Sequence, residues 1–153
     1  MFAASIVPVE WSPEEEERSL AILGRLLLDE IAASGTAEQR RGMLIAIGRR
    51  VAALLPLGEK TDLAAVEKRI NGLWAALGWG SVGFEIDDSG IDIVHRRLPT
   101  CHQDQLQDWQ DLLPPVLKGA YASWFSQMSE GANNLYTRIS ANKAGQVEFR
   151  HGL

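Results

Sequence analysis

The sequence lacks several features that would assign it to common structural classes. Cys101 is the only cysteine among 153 residues, so neither an intrachain disulfide nor a cysteine-based zinc site can form. No segment reaches the roughly 18 to 20 apolar residues that span a bilayer. The first residues have neither a basic stretch nor an apolar run of signal-peptide length. These absences predict a cytoplasmic protein in a reducing compartment.

Positively charged residues are outnumbered by negatively charged ones. The chain has 15 lysines and arginines against 20 aspartates and glutamates, a net charge of -5, which repels the phosphates of nucleic acids. No nucleic-acid partner is therefore expected. The hydrophobic share of 46% and the charged share of 23% are those of an ordinary globular protein. We expect a single domain over residues 13–153, preceded by a mostly apolar arm at residues 1–12.

The first helix has a strong predicted start. Ser12 is suited to the N-cap, Pro13 to the first helical position, and Glu15 to the partner position of a capping box. The glutamates at 14–17 match the positive end of the helix dipole, which favours a solvated first turn over a metal site. An apolar stripe follows and ends at Ser34 and Gly35; it consists of Leu20, Leu23, Leu27 and Ile31.

Two more helices are predicted before residue 80. Thr36 and Gln39 repeat the capping signature, and the helix they open breaks at Pro56–Gly58. The residues predicted to face inward are Met43, Leu44, Ile47, Val51, Leu54 and Leu55; a cluster of arginines occupies the opposite face. A third helix is expected to start near Thr61, with apolar residues at spacings of three and four. Its partner helix could belong to this domain or to another subunit.

The period then changes from helical to alternating. The predicted strand after Trp79 buries Val82, Phe84 and Ile86, and the next strand directs Ile91, Ile93 and His95 to one face. Asp87–Gly90 suits a tight turn in which the Asp87 side chain accepts hydrogen bonds from the backbone.

The C-terminal part predicts a helix and a second hairpin. Pro114 and Pro115 are expected to separate a short helical turn from a main helix that carries an aromatic stripe. The hairpin pairs 135–141 with 146–150 about a turn at 142–145. The predicted fold is α+β: three N-terminal helices, a β-hairpin, a helix and a β-hairpin, with a small antiparallel sheet.

The acids of the first hairpin raise the question of catalysis. Glu85, Asp87, Asp88 and Asp92 could supply the two carboxyl groups of glycoside hydrolysis. However, the alternation directs Glu85 and Asp87 away from the buried face, the turn requires Asp87, and nothing would raise one carboxyl pKa by burial. We therefore expect no enzyme activity.

The histidines and the cysteine give no metal or nucleophile pattern. His95 is predicted to be a core or interface histidine, whereas His102 and His151 are assigned to loop and tail regions. Cys101 beside His102 has no identifiable third group to orient it. Without a phosphate-binding loop or a dinucleotide fingerprint either, no cofactor or metal is expected.

A family resemblance covers residues 77–125. The ordered elements are Trp79-Gly80, an acidic turn, Ile93-Val94-His95, Leu98-Pro99 and Pro115-Val116-Leu117, followed by Gly119, Tyr121 and Trp124. In this order and spacing the sequence resembles the D subunit of bacterial cellulose synthase complexes. The polar spacer at 100–111 and the C-terminal tail depart from the family pattern.

The resemblance implies a non-catalytic accessory or scaffold role. Members of this family form homo-octamers, as tetramers of dimers, that help to order nascent β-1,4-glucan chains for export and crystallisation beside the inner-membrane synthase. Some members also act with a proline-rich accessory protein. The alternative from another class is an acidic secretion-type chaperone or adaptor.

The same resemblance directs attention to the N-terminal arm as the glucan-binding region. The residues expected to contact glucan are Phe2, Ser5, Ile6, Val7 and Trp11. Two roles are open for Trp11, which could stack on a sugar face or form a hydrophobic staple with the first helix.

Overall fold

The computed structural model describes residues 12–58, 62–99, 106–129, 134–143 and 145–153, with backbone only for 106–110. The contacts divide the chain into two compact units, Met1–Arg40 and Arg41–Leu153, and each is described by itself. Except for Ser12, the predicted arm at 1–12 lies outside the described residues.

Helix α1, Pro13–Ala33, begins where the sequence predicts it. The Ser12 hydroxyl accepts a hydrogen bond from the Glu15 amide at 3.2 Å, and the Glu15 carboxylate accepts one from the Ser12 amide at 2.8 Å. The predicted capping box is thus confirmed, and it satisfies backbone donors that a helix start leaves unpaired.

Helix α2, Ala37–Ala53, has the second predicted cap, because Thr36 and Gln39 exchange hydrogen bonds of 2.8 and 3.2 Å. Its buried residues are Leu44, Gly48 and Ala52, which follow one another at a spacing of four. The predicted inward positions of Met43 and Leu54 are wrong, since both side chains are at least half exposed. Met43 lies one residue off the buried line, and Leu54 follows the end of the helix.

Helix α3, Leu63–Leu77, begins at the N-cap Asp62, close to the predicted start. It buries Val66, Ile70 and Trp74 and ends at Gly78, whose φ of 70° is readily adopted by glycine. The predicted apolar spacing therefore marks the face that packs into the core.

The four strands form one antiparallel sheet with the order β1-β2-β4-β3. The strands are β1 Ser81–Asp87, β2 Gly90–Arg96, β3 Tyr136–Lys143 and β4 Gln146–Gly152. Both predicted hairpins are confirmed, and β2 and β4 pair to join them. The predicted burial of Ile86 is wrong, because the residue lies near the turn of an edge strand and is largely exposed.

Helix α3 covers the outer edge of β1. The Asn71 side chain donates to the Val82 carbonyl at 2.9 Å and accepts from the Val82 amide at 2.7 Å. The Glu67 carboxylate accepts from the Phe84 amide at 3.1 Å. Backbone groups that an edge strand leaves unpaired are thereby satisfied.

Helix α4, Leu106–Met128, continues through Pro114 and Pro115. The predicted break is therefore wrong. Prolines remove backbone donors from a helix, but Leu113, Val116 and Leu117 beside them are buried, so tertiary packing outweighs the local penalty.

The core of the second unit lies between the helices and one face of the sheet. Its largest fully buried side chains include Trp74, Tyr121, Trp124, Phe125 and Phe149. None of the helices in the described ranges is long and apolar enough to cross a membrane.

Candidate functional site

The acidic turn of the first hairpin is held together by Asp87. Its carboxylate accepts hydrogen bonds from the amides of Ser89 and Gly90 at 2.8 and 3.1 Å and from the Ser89 hydroxyl at 2.9 Å. Arg150 of β4 adds an ion pair at 2.6 Å. The Arg150 guanidinium and the Ser89 donors hold the pKa of Asp87 well below its ordinary value. The predicted turn role of Asp87 is confirmed.

A row of charged residues crosses the exposed face of the sheet. Glu85, Asp92, Arg150 and Arg138 are opposite one another on successive strands. Arg150 also contacts the Asp92 carboxylate at 2.9 Å, and the acids Asp87 and Asp92 raise the pKa of its guanidinium. Asp92 is half exposed and paired with a cation.

His95 lies in a buried hydrogen-bonded chain. Its Nε2 lies 2.6 Å from the Trp79 carbonyl oxygen and its Nδ1 lies 2.5 Å from the Tyr121 hydroxyl. Because a carbonyl only accepts, Nε2 carries the proton and Nδ1 accepts from Tyr121. The Tyr121 oxygen in turn accepts from Trp74 Nε1 at 3.1 Å. Burial lowers the pKa of His95 from 6.5 to about 4, so it is a neutral core histidine, as predicted.

The tryptophans with described side chains have structural roles. Trp74 stacks on Trp79 with ring centroids 5.7 Å apart and meets Trp124 edge-on at 5.5 Å. The Trp124 indole donates to the carbonyl oxygens of Ala52 and Leu55, tying α4 to the end of α2. Trp74 and Trp124 are fully buried, which leaves no ring face for a sugar.

His151 is the residue whose predicted environment is corrected most. It belongs to β4 rather than to a tail, is buried, stacks on Phe125 at 5.1 Å and lies 2.8 Å from the Thr137 hydroxyl. Burial lowers its pKa. The alternation of Val147, Phe149 and His151 is the sequence signal that could have placed it inward.

The residues expected to contact glucan are not among those that the structure describes. Phe2, Ser5, Ile6, Val7 and Trp11 lie outside the described residues, as do Cys101 and His102. Within the described ranges, no three histidines, cysteines, aspartates or glutamates form a group that could hold a metal ion.

Helix α1 exposes a set of apolar side chains. Leu20, Leu23 and Leu27, spaced to share one face, are exposed by 62%, 53% and 56%, and no residue of the helix is buried. Ile22 and Leu26 add a second exposed apolar pair. Contiguous exposed apolar side chains of this kind mark a candidate interaction surface.

Comparison with known families gives a match that covers most of the chain. The sequence model of the family of cellulose synthase D subunits matches residues 14–152, nearly the whole chain. A comparison with curated proteins returns no significant match.

Proposed function

The chain belongs to the family of cellulose synthase D subunits, and from this premise we propose that it is a non-catalytic scaffold of the synthase complex. Family membership assigns it a role in cellulose synthesis as an accessory subunit, in association with other synthase components. The proposed action is to oligomerise and to organise nascent β-1,4-glucan chains for export and crystallisation. The match over residues 14–152 is the observation that carries this proposal.

The environment of the hairpin acids supports a non-catalytic role. Asp87 is occupied by its turn and by Arg150, and Asp92 is paired with the same arginine. Glycoside hydrolysis needs a carboxyl group that can donate a proton, whereas both of these carboxylates are paired with the Arg150 guanidinium. Purified protein is expected to release no sugar from cello-oligosaccharides. Turnover that disappears in Glu85→Gln would contradict this role.

Oligomerisation is supported by α1. Its exposed leucines are apolar area that an interface between copies would remove from water, at about 1.5–3 kcal/mol for each leucine fully buried. The proposed assembly is a homo-octamer, a tetramer of dimers. Its proposed location is the cytoplasmic side of the inner-membrane synthase, with the proline-rich accessory protein as a further partner.

Measurement of the assembly mass tests the proposal. Size-exclusion chromatography with light scattering at micromolar concentration is expected to give eight times the 16.8 kDa of one chain. A monomer would contradict the scaffold role. A pull-down that captures unfolded export substrates in place of synthase components would instead support the chaperone function.

A deletion tests the proposed glucan contacts of the arm. Removal of residues 2–10 is expected to leave the assembly mass unchanged and to disturb the order of the cellulose made by cells that carry the variant. Cellulose of unchanged crystallinity, with the truncated protein present at its normal level, would contradict a role of the arm in guiding glucan.

A further inference from the structure

The crossing of α2 and α4 creates a groove in the second unit. A Cβ atom on Gly48 would collide with the Val116 carbonyl oxygen, and one on Gly119 would collide with that of Ile45. The two helix backbones therefore approach as closely as glycine allows. Arg49 and Lys118, each adjacent in sequence to one of these glycines, both line the groove, whose volume is about 620 Å³.

The lining of this groove is cationic and rich in hydroxyl groups. Besides Arg49 and Lys118, it includes side chains that can donate hydrogen bonds, namely Ser123, Ser126 and Gln127. None of the described lining residues is an aspartate or a glutamate. In a chain with a net charge of -5, this local excess of positive charge favours an anionic ligand.

His151 supplies an independent observation at the same place. It lines the groove, is only 6% exposed, and its Nε2 has no hydrogen-bond partner among the described residues. In the tautomer in which the Thr137 hydroxyl donates to Nδ1, the ring proton lies on Nε2, which is then a free donor. An unpaired buried donor is destabilising, and a hydrogen bond to a ligand oxygen would remove that penalty.

Tyr136 adds an apolar surface beside these donors. The residue is 68% exposed at the start of β3 and lines the groove. Aromatic faces of this kind pack against sugar or planar rings. The organic part of a ligand could therefore lie on Tyr136 while its anionic group meets the cations.

We propose that the groove binds a small organic phosphate through Arg49, Lys118 and His151. A phosphate monoester carries between one and two negative charges near neutral pH and three acceptor oxygens, which matches two cations and a neutral donor better than a single carboxylate does. All the described lining residues belong to the second unit, and binding of a ligand there does not require the proposed scaffold role.

Nuclear magnetic resonance shift mapping and calorimetry with glucose 6-phosphate test the site in the full chain. The expected result is saturable binding, with shifts confined to the groove residues, and no binding of glucose at the same concentration. Arg49→Gln and Lys118→Gln should each weaken binding by about tenfold or more, because each removes a charge-assisted hydrogen bond. Arg50→Gln is the matched control, since Arg50 is exposed on α2 and does not line the groove.

Three outcomes would overturn the proposal. The first is the absence of shifts in the groove with glucose 6-phosphate. The second is equal binding of glucose or of acetate, which would assign the groove to neutral sugars or to carboxylates. The third is unchanged affinity in the Arg49→Gln, Lys118→Gln double variant with its fold intact.

Discussion

At the residue scale, burial changes the acid–base chemistry of His95. The ring is fully buried against Trp74 and Tyr121, and both nitrogens are hydrogen-bonded in the neutral form. Protonation would place a second N–H opposite a hydroxyl that now donates to Nδ1, and would put a charge in the core. The site therefore stabilises the neutral imidazole.

Stability should consequently fall in mild acid. The pKa of His95 is lowered from 6.5 to about 4, so between these values the unfolded chain binds a proton that the folded chain does not. The contribution of His95 is complete above pH 6.5 and is lost as the pH falls towards 4, by at most about 3 kcal/mol. Urea unfolding at neutral pH and at about pH 5 measures this loss.

Direct titration of the ring provides the check on the cause. The proton resonances of His95 should remain those of a neutral ring at about pH 5.5, where an ordinary histidine is mostly protonated. A His95 resonance that titrates near 6.5 would contradict the assigned network.

The position of His95 could be predicted from the sequence, but its partners could not. Alternation with Ile91 and Ile93 places it on the inward face. Tyr121 is 26 positions away, and nothing local to either residue indicates that they meet. His151 was missed for a different reason, since the second hairpin extends beyond the predicted end at residue 150.

At the element scale, α3 protects an edge strand. Asn71 satisfies both the amide and the carbonyl of Val82. Asn71→Leu should lower the free energy of unfolding by about 1–3 kcal/mol, because it leaves two partly buried backbone groups without partners. It should also increase aggregation, since the strand edge becomes available to another chain.

Chemical denaturation and light scattering measure these two effects. Lys68→Ala, at an exposed position of the same helix, is the control and should change stability by less than about 0.5 kcal/mol. An Asn71→Leu variant as stable as the Lys68→Ala control would show that water replaces the side chain at no cost.

The crossing of α2 and α4 gives a second prediction at this scale. Gly48→Ala should lower the free energy of unfolding by about 1–3 kcal/mol or more, because the added methyl group meets helix backbone that cannot rotate away. Gly42→Ala, on the same helix with no atom within 4 Å of the added carbon, should instead raise it by about 0.5–1 kcal/mol. Thermal and chemical unfolding measure the difference in stability between the two variants. Equal stability would show that the two helices can separate freely.

Element boundaries follow from the sequence more directly than helix packing does. The caps at Ser12 and Thr36 are local, and the structure contains both. The close approach at Gly48 and Gly119 is not local, because a glycine does not indicate which helix will approach it. The path of α4 through Pro114 and Pro115 likewise depends on core contacts made by its neighbours.

At the scale of the whole molecule, the order of the helices and strands and the family could both be predicted from the sequence. The groove could not be predicted, since its lining comes from α2, α4, β3 and β4 together. Its two cations are far apart in sequence and each resembles an ordinary surface residue. Arg49 and Lys118 line the same groove only because α2 and α4 cross.

The exposed leucines of α1 are expected to take part in assembly. Leu23 and Leu27 lie on one face and are each more than half exposed, so an interface that buries them would lose several kcal/mol on substitution with charged residues. Leu23→Glu with Leu27→Glu should reduce the mass measured by light scattering, while circular dichroism remains that of the folded chain. Glu17→Ser, an exposed polar position on the same helix, should leave the mass unchanged. If the double variant retained the full mass, α1 would not form the interface, and the assembly would have to use another surface of the chain.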